Sequence, residues 1–206
     1  KRIGSHLAHA RKANKVALLY SADSYHGIKF MPFDDRTDYL SVLQQLYGAL
    51  YRLNVGVDFV FPQSPNLADY NVIVVAPLYV SDDALLERLG EFVRGGGHLL
   101  LTLNSGFTNE FSTVRAEMAP GPLRQVAGIR YQEFSNLRGH IPLKDDPLGG
   151  GQENWASTWA EMLIPESATP VAFYDHPFLG KYPAITRNSY GKGTATYQGT
   201  ILSDKL

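Results

Sequence analysis

Residues 70–107 read YNVIVVAPLYVSDDALLERLGEFVRGGGHLLLTLNSGF, and this stretch decides the fold. The run 71–76 is apolar and rich in β-branched residues, which predicts a strand buried on both faces. Large apolar residues then recur at helical spacing over 85–93, and Ser81 is predicted to cap that helix. Three glycines end the helix, and a second apolar run follows at 99–103. Strand, helix and strand in this order predict a right-handed crossover between parallel strands.

Apolar periodicity on either side of this unit extends the same fold class. A long aromatic loop is predicted over 21–33, after the first strand. The predicted strands are 16–20, 57–61 and 129–134, and the predicted helices are 38–53 and 123–126. Strands that alternate with helices in this way build an open, mostly parallel sheet with helices on both faces. The sequence therefore predicts an α/β fold.

The last third of the chain has a different pattern. Residues 139–154 are rich in Gly, Pro and Asp and are predicted to form a loop. Short strands separated by turn signals follow, which predicts antiparallel hairpins. These strands are 155–162, 170–174, 184–189 and 194–199. We expect one domain over 1–206, with a helical lead-in over 1–14, an α/β core over 15–137 and an antiparallel extension over 138–206.

Composition excludes several classes of function. The 206 residues carry a formal net charge of −1, which gives no reason to expect a nucleic acid or an anionic membrane as partner. No apolar run approaches the roughly 20 residues that span a bilayer. There is no cysteine, so disulfides, thiolate metal sites and a cysteine nucleophile are excluded, and a reducing cytoplasm is the expected location. The six histidines form no close-spaced cluster, and neither a metal nor another cofactor is predicted.

Ligands of open parallel sheets bind beyond the carboxyl ends of the strands. In this chain those ends lead into residues 21–26, 76–79 and 104–110. Ser105 follows a strand as a hydrolase nucleophile does, with His26 and Asp23 available as base and orienter. The glycine that such an elbow needs two residues earlier is missing, because Leu103 stands there. A serine hydrolase is therefore only an alternative hypothesis.

The remaining motifs favour structural roles. Gly95–Gly97 stands at the wrong end of the sheet for a phosphate loop and is interpreted as a helix stop. Gly191–Gly193 lies between two antiparallel strands and is interpreted as a hairpin turn. The carboxylates nearest the strand ends, Asp23, Glu110 and Glu133, show no spacing that pairs any two of them as in a glycosidase.

Aromatic residues are concentrated in the loops at the predicted ligand edge. They either cover the sheet edge of a monomer or form a partner surface, because interface cores are enriched in the same residue types. Trp155 and Trp159 are expected to share one face of a strand. The predicted residues of a subunit interface or active-site wall are Tyr25, His26, Phe30, Phe33, Phe107, Asn109, Glu110 and Trp155. A third hypothesis is a sugar-binding module with Tyr25, Phe107 and Trp155 as stacking platforms.

Several segments together resemble a known family. They are KVALLYSADS (15–24), DYLSVLQQLYGALYRLNVGVDFV (38–60), residues 70–106, PGPLRQVAGIRYQEFSNL (120–137) and YGKGTATYQGTILSD (190–204). This combination resembles the middle domain of glycoside hydrolase family 42 β-galactosidases. The resemblance implies a flavodoxin-like, class I glutamine amidotransferase-like fold that mediates trimer formation. It also implies a parent enzyme with an N-terminal (β/α)₈ barrel that hydrolyses terminal non-reducing β-D-galactose residues with retention.

The resemblance implies that this chain is not catalytic on its own. The family's two catalytic glutamates belong to the barrel, and about 250 residues are needed to build a barrel. Active amidotransferases carry a cysteine at the place that corresponds to Asn104–Ser105, and this sequence has none. The expected partners are two further copies of the chain, in a homotrimer, and the parent's own barrel. The segment FTNEFSTV at 107–114 departs from the family pattern, which leaves the role of this loop open.

Overall fold

The computed structural model describes Ala8 and residues 13–206. The predicted helical lead-in over 1–14 therefore lies mostly outside the described residues. The first half of the chain supplies four strands, β1 (Val16–Leu19), β2 (Val57–Val60), β3 (Val72–Val75) and β4 (His98–Thr102). They lie in the order β2-β1-β3-β4 and are all parallel, with Val16 level with both Val57 and Val72.

Four helices connect these strands or follow them. They are α1 (Ala22–Ile28), α2 (Tyr39–Arg52), α3 (Asp83–Arg94) and α4 (Arg124–Ala127). Alternate strand residues point to opposite faces of the sheet. Leu19 and Val75 pack with α3 and α4 on one face, whereas Leu18 and Val74 pack with α1 and α2 on the other. The predicted fold class, an open sheet covered by helices on both faces, is confirmed.

Two local predictions in this half are wrong. Residues 21–33 are not one loop, because they contain α1, whose first turn is capped by the Ser21 side chain. This helix has only seven residues, too few to show an apolar repeat. The cap of α3 is Asp82 rather than Ser81, and its carboxylate accepts the Leu85 N–H at 2.7 Å. A carboxylate at this position also interacts favourably with the helix dipole.

The last third adds strands to the main sheet and builds two smaller sheets. The strands are β5 (Ile129–Arg130), β6 (Phe134–Pro142), β7 (Trp155–Glu161), β8 (Ile164–Pro165), β9 (Thr169–Phe173), β10 (Pro183–Tyr190), β11 (Gly193–Gln198) and β12 (Thr200–Leu202). Beside β4 the main sheet continues in the order β11-β10-β9, with β11 parallel to β4 and the last two pairings antiparallel. A second sheet has the order β12-β7-β6, and β5 pairs with β8.

These pairings correct three further predictions. The predicted strand 129–134 does not join the main sheet, because β11 fills the place beside β4. The pairing of β11 with β4 requires a glycine at position 193, because a Cβ there would overlap the carbonyl oxygens of Gly97 and Val93. The predicted loop 139–154 begins inside β6, so the expected boundary after residue 137 also falls within a strand. The additional strand β12 was not predicted.

Candidate functional site

The segments that follow β1, β3 and β4 pack on one another at one edge of the sheet. The Ser24 hydroxyl oxygen lies 3.0 Å from both the N and the O of Val80, donating to the carbonyl and accepting from the amide. Gly27 allows this approach, because a Cβ there would lie 2.7 Å from Cγ2 of Val80. The Thr108 N–H donates to the Tyr79 carbonyl at 2.9 Å. The three predicted strand ends therefore form one continuous region.

The elbow after β4 is buried and is not built for nucleophilic chemistry. Asn104 adopts a left-handed conformation with φ of 57°, as a tight strand-to-turn elbow requires. Ser105 is completely buried, and its hydroxyl donates to the Thr102 carbonyl at 2.7 Å. His26, the predicted base, is exposed on α1 with its ring against Tyr25. Ser105 is therefore held in a backbone hydrogen bond away from solvent, which argues against the serine-hydrolase hypothesis.

A carboxylate from the appended sheet occupies this elbow. Glu161, at the end of β7, is 0% exposed, and its Oε1 accepts the Asn104 N–H at 2.7 Å. Among the described residues, no group makes a hydrogen bond of good geometry to its Oε2, although the side-chain donors of Tyr131, Trp159 and Tyr197 lie around the carboxyl group. Burial raises the pKa of Glu161 to about 7, although the Asn104 N–H opposes this rise. A carboxyl group with this pKa is held largely protonated below neutral pH, since desolvation penalises the charged form.

Two buried tyrosines complete the surroundings of Glu161. The hydroxyl of Tyr197 lies 3.3 Å from that of Tyr131. Burial and the nearby Glu161 carboxylate raise the pKa of both phenols well above the ordinary value. Sequence reasoning missed this cluster. Its one signal was an acidic residue within the otherwise apolar run 159–164, WAEMLI, and buried acids are rare unless they are paired.

The predicted residues on α1 and in the loop after it have different exposures. Tyr25 is half-buried, and the Lys29 ammonium lies 4.1 Å from its ring centroid. His26 is exposed, with its ring centroid 5.0 Å from that of Tyr25. Phe30 is 92% exposed, which is unusual for a phenylalanine. Phe33 is only 1% exposed and packs edge-on against Trp159, so its side chain belongs to the core and is not available to a partner.

The loop after β4 presents the next group of predicted residues. Phe107 is half-buried and stacks on Tyr79, with ring centroids 5.8 Å apart. Asn109 has a structural role, because its side-chain oxygen accepts the N–H groups of Phe111 and Thr113 at 3.0 Å each. This turn leaves Glu110 exposed and Phe111 78% exposed at the loop tip.

These loops together form what we call the strand-end surface. Tyr79 links the two loops, since its hydroxyl lies 3.4 Å from the Met31 sulfur while its ring stacks on Phe107. The surface consists of Tyr25, His26, Phe30, Phe107, Glu110 and Phe111. The structure therefore gathers five of the eight predicted residues, buries Phe33 and uses Asn109 to shape the loop.

The eighth residue, Trp155, lies elsewhere. Its ring is stacked face to face on His140, with centroids 3.7 Å apart, whereas Trp159 is buried against Phe134. The two tryptophans therefore have different surroundings, although both lie opposite even-numbered residues of β6, Trp159 opposite Asn136 and Trp155 opposite Pro142. Between them β7 is irregular, because Thr158 has φ of 66° and the pairing with β6 shifts register in the same region.

The described histidines lie apart, and three of them have clear structural partners. Nδ1 of His176 accepts the Phe178 and Leu179 N–H groups, His140 stacks on Trp155, and His98 contacts Thr194 on the neighbouring strand. Within residues 13–206, no three His, Asp or Glu side chains are placed to hold a metal ion. No helix in that part of the chain combines the length and apolar character needed to cross a membrane.

The chain is similar to β-galactosidases in sequence and in fold. The family model described as the β-galactosidase trimerisation domain matches residues 14–206. β-Galactosidase BgaA of Clostridium cellulovorans is 33% identical over 191 residues, which cover 92% of this chain and 28% of that protein. β-Galactosidase BgaB of a Geobacillus species is 31% identical over 199 residues, which cover 94% of this chain and 29% of that protein. The crystal structure of β-galactosidase from Bacillus circulans sp. alkalophilus has a TM-score of 0.89 and 25% identity, over 99% of this chain and 31% of that one. The chain therefore spans less than a third of the length of each of these proteins.

Proposed function

The chain belongs to the β-galactosidase trimerisation-domain family of glycoside hydrolase family 42, and from this premise we propose that it is the association module of a larger homotrimeric β-galactosidase. In that parent, a catalytic barrel elsewhere in the polypeptide hydrolyses terminal non-reducing β-D-galactose residues. Residues 1–206 act as one domain that joins the subunits and helps to enclose their active sites.

One observation carries this proposal. The elbow at which an amidotransferase-like fold would perform chemistry is filled by the protein's own Glu161, whereas aromatic side chains at the same edge face solvent. Exposed aromatic residues of this kind are enriched at protein interfaces. Fully burying a phenylalanine such as Phe30 contributes about 2 kcal/mol, so a few of these residues suffice to stabilise a subunit contact.

The sugar-binding alternative has less support. A sugar-stacking platform needs an open aromatic face, and the three predicted platforms each have a neighbour on their ring. The Lys29 ammonium lies over Tyr25, Tyr79 stacks on Phe107, and His140 stacks on Trp155. The strand-end surface therefore suits a protein partner better than a saccharide.

The proposal also includes a cytoplasmic location for the parent enzyme. The cysteine-free composition is compatible with a reducing compartment, since nothing in this chain depends on disulfide formation. Fractionation of cells that express the full-length protein, followed by immunoblotting, tests this part of the proposal. Recovery of the protein in the culture medium would contradict it.

Light scattering tests the association itself. We expect the chain to have a solution mass near three times 22.8 kDa. Replacing the exposed Phe30 with glutamate is expected to lower that mass without unfolding the chain, because the side chain makes little contact within its own subunit. A wild-type chain that remains monomeric throughout a concentration series would contradict the proposed function.

A further inference from the structure

A second group of exposed aromatic residues lies along the edge of the main sheet. Tyr47 and Tyr51, one turn apart on α2, stack on each other with centroids 6.3 Å apart, and Tyr47 also stacks on Phe59 of β2 at 5.8 Å. Phe61 follows β2, and its ring centroid lies 6.1 Å from that of Tyr20. Tyr51 is 70% exposed, and the others are between 40% and 50% exposed. We call Tyr47, Tyr51, Phe59 and Phe61 the edge strip.

The backbone beside the edge strip is also open. β2 is one of the two edge strands of the main sheet, and among the described residues it pairs only with β1. Exposed edge strands with apolar side chains are prone to uncontrolled pairing, so proteins usually cover or blunt them. An exposed edge lined by four aromatic rings is therefore a surface that a partner would protect.

Symmetry sets the requirement for a second surface. In a closed trimer every contact is heterologous, so each subunit must present two different surfaces that fit each other. A single surface that meets its own copy gives a two-fold dimer instead. The strand-end surface alone therefore cannot close a trimer. Each subunit must also carry a second surface that receives it, and the proposed function does not say where that second surface lies.

Charge favours the edge strip as that counterpart. The segments that build the strand-end surface, 21–36 and 107–111, carry more exposed acids than exposed bases. The acids are Asp23, Asp34, Asp35 and Glu110, and the bases are Lys29 and Arg36. Two such surfaces placed face to face would therefore bring an excess of negative charge together. By contrast, α2 contains no Asp or Glu. Asp58, the only acid in β2, points away from Phe59 and accepts a hydrogen bond from the Asn14 side chain at 2.7 Å.

We propose that the edge strip of one copy receives the strand-end surface of the next copy, and that three such contacts close the ring. The inference rests on the proposed function and adds which two surfaces meet. The occupant of the edge strip is therefore a second copy of this chain. Its aromatic residues cover the open edge of β2, while its carboxylates face an acid-free helix.

The test uses two single variants of the whole chain, Phe30→Glu and Tyr51→Glu. Both side chains are strongly exposed, so folding should be preserved, which far-UV circular dichroism checks. Each variant alone is expected to have a mass near 22.8 kDa. Mixed in equal amounts, they are expected to give a species of twice that mass. The Phe30 variant keeps an intact edge strip and the Tyr51 variant keeps an intact strand-end surface, so one contact forms and the ring stays open.

The other outcomes are distinct. Phe178→Glu is the matched control, because this exposed aromatic residue lies on neither surface, and this variant should remain trimeric. If the wild type is trimeric but the mixed variants stay monomeric over a concentration series to several hundred micromolar, the pairing of these two surfaces is wrong. If the Tyr51 variant alone remains trimeric, the edge strip is not part of the ring. A monomeric wild type overturns the proposed function and this inference with it.

Discussion

Replacing Glu161 with glutamine should stabilise the chain above neutral pH and change its stability little near pH 4. The substitution keeps an oxygen that accepts the Asn104 N–H, and it removes the ionisable group from a fully buried site. The expected gain at high pH comes from the cost of burying a charge without a cationic partner.

The magnitude follows from the difference between the folded and unfolded pKa. The carboxyl has a pKa of about 7 in the folded chain against an ordinary value of 4.5. Between these values the folded state keeps a proton that the unfolded state releases, so stability falls as pH rises. The protonated Glu161 carboxyl therefore makes its full contribution to the free energy of unfolding below pH 4.5, and this contribution is lost once the pH exceeds 7. At about 1.4 kcal/mol per pKa unit, the loss is on the order of 3 kcal/mol.

The assay is urea unfolding followed by tryptophan fluorescence, at a series of pH values and one fixed chain concentration. The concentration must be fixed because association adds to apparent stability. We expect the glutamine variant to exceed the wild type at pH 8 and to match it near pH 4. Glu166→Gln is the control for which the opposite pH dependence is expected. The hydrogen bond from Arg124 lowers the pKa of Glu166, so the ionised carboxylate stabilises the folded chain at high pH. This variant should therefore be less stable than the wild type at pH 8. A difference between wild type and Glu161→Gln that is the same at pH 4 and pH 8 would refute the argument.

Two further predictions concern the backbone and the absence of catalysis. Gly193→Ala should destabilise the chain strongly, by more than the roughly 1 kcal/mol typical of point mutations, because the added methyl overlaps the Gly97 and Val93 carbonyls. Gly139→Ala, with nothing within 4 Å of the added atom, should be nearly neutral in the same unfolding assay. The purified chain should not hydrolyse a chromogenic galactoside, and turnover proportional to chain concentration in a preparation free of host enzyme would refute this.

The elements with local signals were predictable from the sequence. The crossover from β3 through α3 to β4 has two apolar runs, a clear helical stripe and three terminating glycines, all within 38 residues. α1 is too short for such a stripe. The position of β11 depends on a close approach between Gly193 and Gly97, which are far apart in the chain, so periodicity contains no information about it.

The candidate site was predicted in location more reliably than in detail. The rule that parallel strands end at one edge correctly placed Phe30 and Phe107 in neighbouring loops. Whether an aromatic side chain is exposed depends on tertiary packing, which is why Phe33 is buried and Tyr51 is open. Glu161 was missed because its role depends on β7 reaching the elbow at Asn104, a contact between residues 57 positions apart.

The insertion of β11 beside β4 has a consequence for synthesis on the ribosome. β4 emerges with only one of its two neighbours available, and its other partner is translated about 90 residues later. At typical translation rates of about 5–20 residues per second, β4 remains an unpaired apolar edge strand for several seconds before β11 is synthesised. Nascent chains that stall in this interval expose a template for strand pairing, which makes them natural clients for chaperones.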